Sequence, residues 1–319
     1  MRYFCLKQLK NIAALFFLGF LVYSCGTSKK ILLDEEFNYT EFRNSQDIFK
    51  STDGNIKYID KGEGEVILLL HGVPTSSWLY RKMIDGLVNK GYRVIAPDML
   101  GFGNSDNPEG YDIYAPEQHA KRLGALMKHL NITNWTHIMH DAGGLWTWEL
   151  FKQNPNKITK LVILNTIIYE EGFKPPIRMK PGVFAKFSMW LYDNKLTTNT
   201  MVNKLFKEGL ENTKLTEAAL EGYRTPLKEG KTKALYQFFT NTCNDLPNYE
   251  NVIKNINIPV AVIWGKHDSF LKWKPQRERV LADLNINPKY EYIIDTSHFL
   301  QEEASDLVNS HILNFLKNN

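Results

Sequence analysis

Residues 139–144, with the sequence MHDAGG, decide the fold of this chain. They follow an apolar run at residues 135–139, which predicts a buried strand, and helical spacing starts at about Gly144. The small residues after Asp141 let the strand and the helix pack closely, so that the central side chain projects from the turn. This is the geometry of a nucleophile elbow that carries Asp instead of Ser. The alternative is that Asp141 only caps the helix.

Apolar runs alternate with helical spacing on both sides of this segment. Besides the run at 135–139, strands are predicted at residues 66–70, 93–96, 160–164, 259–264 and 290–294. Helices are predicted at residues 78–89, 116–130 and 304–316, and from about 144. Continuous apolar strands separated by helices predict an α/β fold whose mostly parallel sheet is covered on both faces.

The alternation is interrupted at residues 168–248, which have helical periodicity and no convincing strand. A helical insertion between two strands of one sheet predicts a cap, or lid. Ligands bind beyond the carboxyl ends of the strands in such sheets, and a cap there would exclude water. The predicted core therefore consists of residues 54–167 and 249–319.

Composition excludes several classes of protein. The chain has 319 residues, of which 43% are hydrophobic and 13% aromatic, and this excludes disorder. The formal charge is +4 without a block of Lys or Arg, so no nucleic-acid partner is expected. No Cys/His cluster has the spacing of zinc ligands, and no metal or cofactor is expected. Cys243, the one cysteine beyond the N-terminal segment, is predicted to be a packed, inert thiol.

The N-terminus resembles a bacterial lipoprotein signal. Three basic residues precede an apolar run at residues 12–23, which is too short to span a bilayer comfortably. Residues 21–25 (LVYSC) take the place of the lipobox, although Val22 and Tyr23 depart from its usual pattern. An uncleaved anchor or a plain secretory peptide is the alternative.

From this resemblance we expect a signal peptide at residues 1–24 and a lipidated Cys25. Residues 25–53 would form a polar tether. The lipid would anchor the protein to a membrane of the bacterial cell envelope, facing the periplasm or the exterior.

An acid and a histidine follow two late strands. Asp268 comes just after the run at 259–264, and His298 lies between the last strand and the final helix. Nucleophile, acid and histidine in this order, each at the carboxyl end of a strand, is the order of α/β hydrolases. The sequence therefore predicts catalytic roles for Asp141, Asp268 and His298.

Several motifs resemble the haloalkane dehalogenase and epoxide hydrolase group of α/β hydrolases. They are residues 71–77 (HGVPTSS), 80–84 (YRKMI), 97–98 (PD), 101–106 (GFGNSD), the Asp141 elbow, 190–193 (WLYD) and 223–226 (YRTP). The resemblance runs from about Asn55 to the C-terminus. It implies a small organic substrate, apolar or moderately polar, with water as the second reactant.

A carboxylate nucleophile implies displacement at saturated carbon, with an alkyl-enzyme ester as intermediate. His298, held by Asp268, would then activate water to hydrolyse that ester. Geometry and the resemblance nominate the backbone N–H groups of Val73 and Ala142 as the oxyanion hole.

The groups that bind the leaving group depart from the dehalogenase pattern. Ala142 stands where a Trp is usual, and Val73 stands where some members have Asn. Trp190 is the candidate donor from the cap. An epoxide hydrolase would use cap tyrosines, for which Tyr192, Tyr223 and Tyr236 are candidates, and core packing is the alternative for each of these aromatic residues.

Three functions therefore compete. A dehalogenase-like hydrolase is favoured on overall similarity. An epoxide hydrolase with the same Asp141, Asp268 and His298 is the first alternative. A non-catalytic, ligand-binding lipoprotein on the same fold is the second.

Overall fold

The structure is a computed structural model, and it describes residues 30–31 and 37–319. The predicted signal peptide, Cys25 and most of the residues just after it lie outside the described residues. Among the described residues, no helix is both long enough and apolar enough to cross a bilayer.

One eight-stranded sheet forms the centre of the fold. Its strands are β1 Asp47–Lys50, β2 Asn55–Lys61, β3 Glu65–Leu70, β4 Tyr92–Pro97, β5 Trp135–Asp141, β6 Ile158–Thr166, β7 Val260–Gly265 and β8 Glu291–Ile294. Their order across the sheet is β8-β7-β6-β5-β3-β4-β2-β1. The strands from β8 to β4 pair in parallel, whereas β2 is antiparallel to both β4 and β1. Two-residue strands at Lys30–Ile31 and Thr213–Lys214 lie outside this sheet.

Helices cover both faces of the sheet. Within residues 37–319 they are α1 Tyr39–Asn44, α2 Arg81–Val88, α3 Pro116–His129, α4 Gly143–Gln153, α5 Val183–Asp193, α6 Thr198–Gly209, α7 Glu217–Lys228, α8 Lys233–Gln237, α9 Glu250–Lys254, α10 Trp273–Asp283, α11 Leu300–Glu303 and α12 Ser305–Lys317. Side chains of β3 alternate between two cores, with Leu68 and Leu70 in one and Ile67 and Leu69 in the other. The prediction of a mostly parallel sheet buried on both faces is confirmed.

Helices α5 to α8 lie between β6 and β7, and α7 fixes this segment to the core. The Trp78 indole N–H donates to the Ala219 carbonyl at 2.9 Å. Gly222 lies so close that a Cβ there would be 2.4 Å from the Trp78 Nε1 atom. The Tyr223 hydroxyl donates to the buried Glu302 carboxylate. These contacts hold the helical insertion over the sheet.

The segment expected to be a polar tether is folded from Phe37 onward. Asn38 caps α1, since its side chain accepts the backbone N–H groups of Thr40 and Glu41. Tyr39 is buried, and its hydroxyl donates to Asn104 at 2.9 Å. Strand β1 then extends the sheet. For residues 37–53 the tether prediction is therefore wrong. The Asn38 side chain fixes the start of α1, and the buried ring of Tyr39 attaches this polar segment to the core.

Candidate active site

Asp141 occupies a strained turn between β5 and α4. Its φ is +52°, a conformation that costs a non-glycine residue free energy. A Cβ at Gly72 would lie 2.3 Å from the Asp141 Oδ1 atom, and one at Gly143 would lie 2.7 Å from the His71 carbonyl oxygen. Both positions therefore require glycine, and the side chain of Asp141 projects as the sequence predicted.

His298 lies between the two carboxylates. Its Nδ1 donates to the Asp268 Oδ2 atom at 2.8 Å, and its Nε2 lies 3.7 Å from the Asp141 Oδ2 atom. The longer distance leaves the Asp141 carboxylate without a direct hydrogen bond from the imidazole. The structure thus brings the three predicted residues together, and all three are nearly buried.

The Asp268 carboxylate is fixed by donors from three directions. Its Oδ1 atom accepts the backbone N–H groups of Phe270 and Leu271 at 2.8 and 2.9 Å. Its Oδ2 atom accepts the Asn165 amide at 2.6 Å in addition to His298. Asn165 has a φ of +30° and also accepts the Gly265 N–H at 2.8 Å, so it joins the ends of β6 and β7. Sequence reasoning missed Asn165 because no motif marks it.

Burial and charge set the protonation of the site. Burial raises the pKa of Asp141, and the nearby His298 and the N–H groups of Ala142 and Val73 offset only part of this. Burial by itself would lower the pKa of His298. The charge and hydrogen bond of Asp268, with the charge of Asp141, outweigh burial, and the pKa of His298 is raised above 6.5. Asp141 and His298 therefore each take up a proton at a higher pH than the same group does in water.

Backbone donors hold the carboxylate of Asp141. The Val73 N–H donates to the Asp141 Oδ1 atom at 2.6 Å, and the Ala142 N–H also bonds this carboxylate. These are the two groups that the sequence nominated as an oxyanion hole. The Val73 N–H binds Oδ1, and the Oδ2 atom faces the imidazole.

His71 shapes the loop that carries Val73. Its Nε2 atom accepts the Met99 N–H at 2.9 Å, which leaves Nδ1 to donate to the Gly72 carbonyl at 2.8 Å. Burial lowers the pKa of His71 to about 4, so the ring stays neutral and keeps both bonds. His71 is thus a positioning residue, a role that the motif at residues 71–77 does not reveal.

Asp98 organises the loop that follows β4. Its carboxylate accepts the N–H and the hydroxyl of Ser77 and the backbone N–H of Asn104. A Cβ at Gly103 would lie 2.2 Å from the Asp98 carboxylate, so that glycine is needed there. The motif at residues 101–106 is therefore explained by loop structure.

A small apolar cavity of about 40 Å³ borders the Asp141 carboxylate. Its lining residues are Val73, Pro74, Asp141, Phe173, Pro175, Pro176, Tyr192, Leu205, Leu235, Phe238, Phe239, Phe270, Leu271 and His298. The lining contains three polar side chains, those of Asp141, Tyr192 and His298. Within residues 37–319, no hydrogen-bond partner is found for the Tyr192 hydroxyl.

The other cap residues proposed for the leaving group lie elsewhere. Trp190 is 48% exposed and stacks on Phe187, with 5.6 Å between the ring centroids. The Tyr223 hydroxyl is bound to Glu302, and the Tyr236 hydroxyl accepts the Gly182 N–H at 3.1 Å. The expectation that Trp190 and Tyr223 contact the substrate is therefore corrected, because one faces outward and the other faces the core. Of the four cap aromatics considered, Tyr192 lines the cavity.

Among residues 37–319, no three His, Cys, Asp or Glu side chains are grouped to hold a metal ion. Cys243 is a free, buried thiol, and burial raises its pKa.

The fold and the arrangement of Asp141, His298 and Asp268 are those of an α/β hydrolase. The chain belongs to the α/β-hydrolase fold family, whose model matches residues 65–305. It is 25% identical to a haloalkane dehalogenase of Psychrobacter cryohalolentis over 303 residues, which cover 89% of this chain and 94% of that protein.

Two further comparisons are with a curated relative and with a solved structure. The chain is 27% identical to a cis-3-alkyl-4-alkyloxetan-2-one decarboxylase of Shewanella oneidensis, covering 84% of this chain and 87% of the relative. The crystal structure of an epoxide hydrolase from Vigna radiata matches with a TM-score of 0.70 at 21% identity, covering 87% of this chain and 100% of the other. The resemblance stated from the motifs is confirmed at the level of the group.

Proposed function

We propose that the protein is a hydrolase in which the Asp141 carboxylate opens a strained oxygen ring, in the first place an epoxide, at a saturated carbon. The observation that carries this proposal is the set of polar side chains around Asp141. They are one hydroxyl donor, Tyr192, and one base, His298, in an otherwise apolar cavity. One hydroxyl can donate to a ring oxygen, and the Tyr192 hydroxyl is without a partner among the described residues.

A halide leaving group fits this cavity less well. Dehalogenases hold the halide between two N–H donors, one of them a Trp after the nucleophile. Here that residue is Ala142, and the Trp190 indole lies on the outer surface of the cap. Negative charge that develops in an apolar cavity without such donors is poorly stabilised.

In the first step the Asp141 Oδ2 atom attacks a ring carbon and the carbon–oxygen bond of the ring breaks. The ring oxygen receives a hydrogen bond and then the proton from Tyr192, which is reprotonated from solvent. The product is an ester of Asp141 that carries a free hydroxyl. The Oδ1 atom, bound to the Val73 N–H, becomes the carbonyl oxygen of this ester.

In the second step His298 accepts a proton from water as that water attacks the carboxyl carbon of Asp141. The negative charge on Oδ1 is stabilised by the N–H groups of Val73 and Ala142. The ester bond then breaks, His298 returns the proton to the departing alkoxide, and the diol leaves. The Asp141 carboxyl group finally loses a proton to solvent, which balances the proton that Tyr192 took up in the first step. Asp268 stabilises the imidazolium form through its 2.8 Å hydrogen bond.

Haloalkane hydrolysis is the second candidate, because several curated relatives are named haloalkane dehalogenases. The experiment that separates the two compares diol formation from aliphatic epoxides with halide release from bromoalkanes of equal chain length. Faster turnover of the epoxides supports the proposal. Turnover confined to the bromoalkanes would refute it.

The nucleophile is tested with the same substrates. His298→Ala should still form the ester and stall there, because attack by a carboxylate needs no base. Intact-mass analysis should then find the substrate's mass added to a peptide containing Asp141. Asp141→Asn should form no adduct, and an unaltered turnover in that variant would refute the role of Asp141.

A further inference from the structure

An apolar surface covers the outer side of α5. Val183, Phe184, Phe187 and Trp190 are 85, 67, 52 and 48% exposed. The opposite side of the helix carries the buried Ala185 and Met189. We call the four exposed residues the cap surface. Soluble proteins seldom expose such a group of large apolar side chains without an interaction partner.

Basic residues predominate in the stretch of chain that carries the cap surface. Residues 174–197 contain five basic side chains and one acidic side chain, Asp193. Arg178 forms an ion pair with Glu170. Among the described residues no carboxylate lies within salt-bridge distance of the other four, which are Lys174, Lys180, Lys186 and Lys195, and all four are exposed. The apolar stripe thus lies within a positive field.

We propose that the cap surface docks on a lipid bilayer that carries anionic headgroups. A helix with Phe and Trp on one side and Lys around it lies in the membrane interface, where apolar burial and attraction to anionic lipid add. A second copy of the chain is a poorer partner, because a twofold contact through this surface would bring two positive fields together.

The same helix borders the route to Asp141. A second cavity, of about 480 Å³, is lined by Ser188, Met189 and Leu191 of α5. It shares Tyr192 and other lining residues with the small cavity at Asp141. Ser188 and Leu191 follow Phe184 by four and seven residues, so they lie beside it along one side of α5. Docking α5 on a bilayer would therefore bring this edge of the second cavity close to the lipid surface, so that apolar substrates pass from the membrane to Asp141. This last step depends on the proposed function, whereas the docking does not.

Trp190 is a built-in probe of the docking. The chain has seven tryptophans, and the other six are buried. The test adds the full chain to anionic vesicles whose acyl chains carry bromine, which quenches tryptophan that enters the hydrocarbon. We expect quenching of wild type and none of Trp190→Phe. The quenching should weaken in 1 M salt, where the screening length falls to roughly 3 Å.

Two variants give the decisive comparison. Phe184→Ser/Phe187→Ser should lose the quenching, whereas Leu307→Ser, which removes an exposed apolar residue from α12, should keep it. The proposal would be overturned if the full-length chain bound the vesicles while bromine did not quench Trp190. It would also be overturned by burial of Trp190 through self-association in sedimentation experiments without lipid.

The route for the substrate has its own measurement. The double Ser variant should lose turnover of an epoxide dissolved in vesicles but keep turnover of a water-soluble epoxide. If neither epoxide is hydrolysed by wild type, the proposed function fails while the quenching still decides the docking. Equal loss on both epoxides would refute the route from the membrane.

Discussion

Removing the Tyr192 hydroxyl is the most direct test of whether the cavity donates a hydrogen bond to the leaving oxygen. Replacing Tyr192 by Phe removes the hydroxyl of a residue that lines the cavity and keeps the aromatic ring. Because Tyr192 is the one neutral hydroxyl donor in the lining, no neighbouring side chain can take its place. Tyr192→Phe should therefore slow ring opening while the residues that hydrolyse the ester remain intact.

The size of the effect follows from the surroundings of the hydroxyl. A preorganised donor aimed at developing negative charge in a water-excluded site contributes about 10²–10³ in rate. Burial also raises the pKa of Tyr192, which keeps the hydroxyl protonated as a donor. We therefore expect the single-turnover rate of ester formation to fall about 100-fold, with little change in the hydrolysis of ester already formed.

The assay is rapid-quench mass spectrometry of the Asp141 ester. Tyr236→Phe is the matched control, since it loses the same atom from a cap tyrosine whose hydroxyl binds the Gly182 N–H outside the cavity. A fall of less than about fivefold in Tyr192→Phe, or an equal fall in both variants, would refute the role of Tyr192 in the proposed reaction.

Three further predictions concern pH, the cap and the anchor. His298 must be neutral to act as a base and its pKa is raised, so kcat should fall as the pH drops through a value above 6.5. Asp268→Asn should lower kcat and shift this fall in the pH–rate profile to lower pH. Tyr223→Phe removes a hydrogen bond to the buried Glu302 and should lower the free energy of unfolding, measured in urea, by about 1–3 kcal/mol. Its kcat should stay within twofold of wild type, and a large loss of kcat would show that Tyr223 takes part in catalysis. On membranes washed with 1 M salt, which weakens docking through the cap surface, Cys25→Ala should be released while wild type stays bound. Fractionation like that of wild type, with no lipid in the mass spectrum, would contradict the lipoprotein prediction.

Much of the fold and of the candidate site could be predicted because the signals are local. The apolar run in β3 requires burial on both faces, and the small residues after Asp141 require a tight turn from strand to helix. Asp268 and His298 each follow a strand, and parallel strands bring their carboxyl ends to one edge of the sheet. Chain order and strand pattern therefore determined which three residues meet.

Tertiary structure alone decided the roles of the cap residues and of the supporting groups. Trp190 and Tyr192 are two residues apart on α5, where 3.6 residues per turn direct them to different sides. Which side faces the cavity depends on how α5 packs. Asn165 lies 103 residues from Asp268, and the contact between them exists only because β6 and β7 are neighbours. Sequence periodicity shows that a helix has two sides, but packing against the core determines which of them faces the cavity.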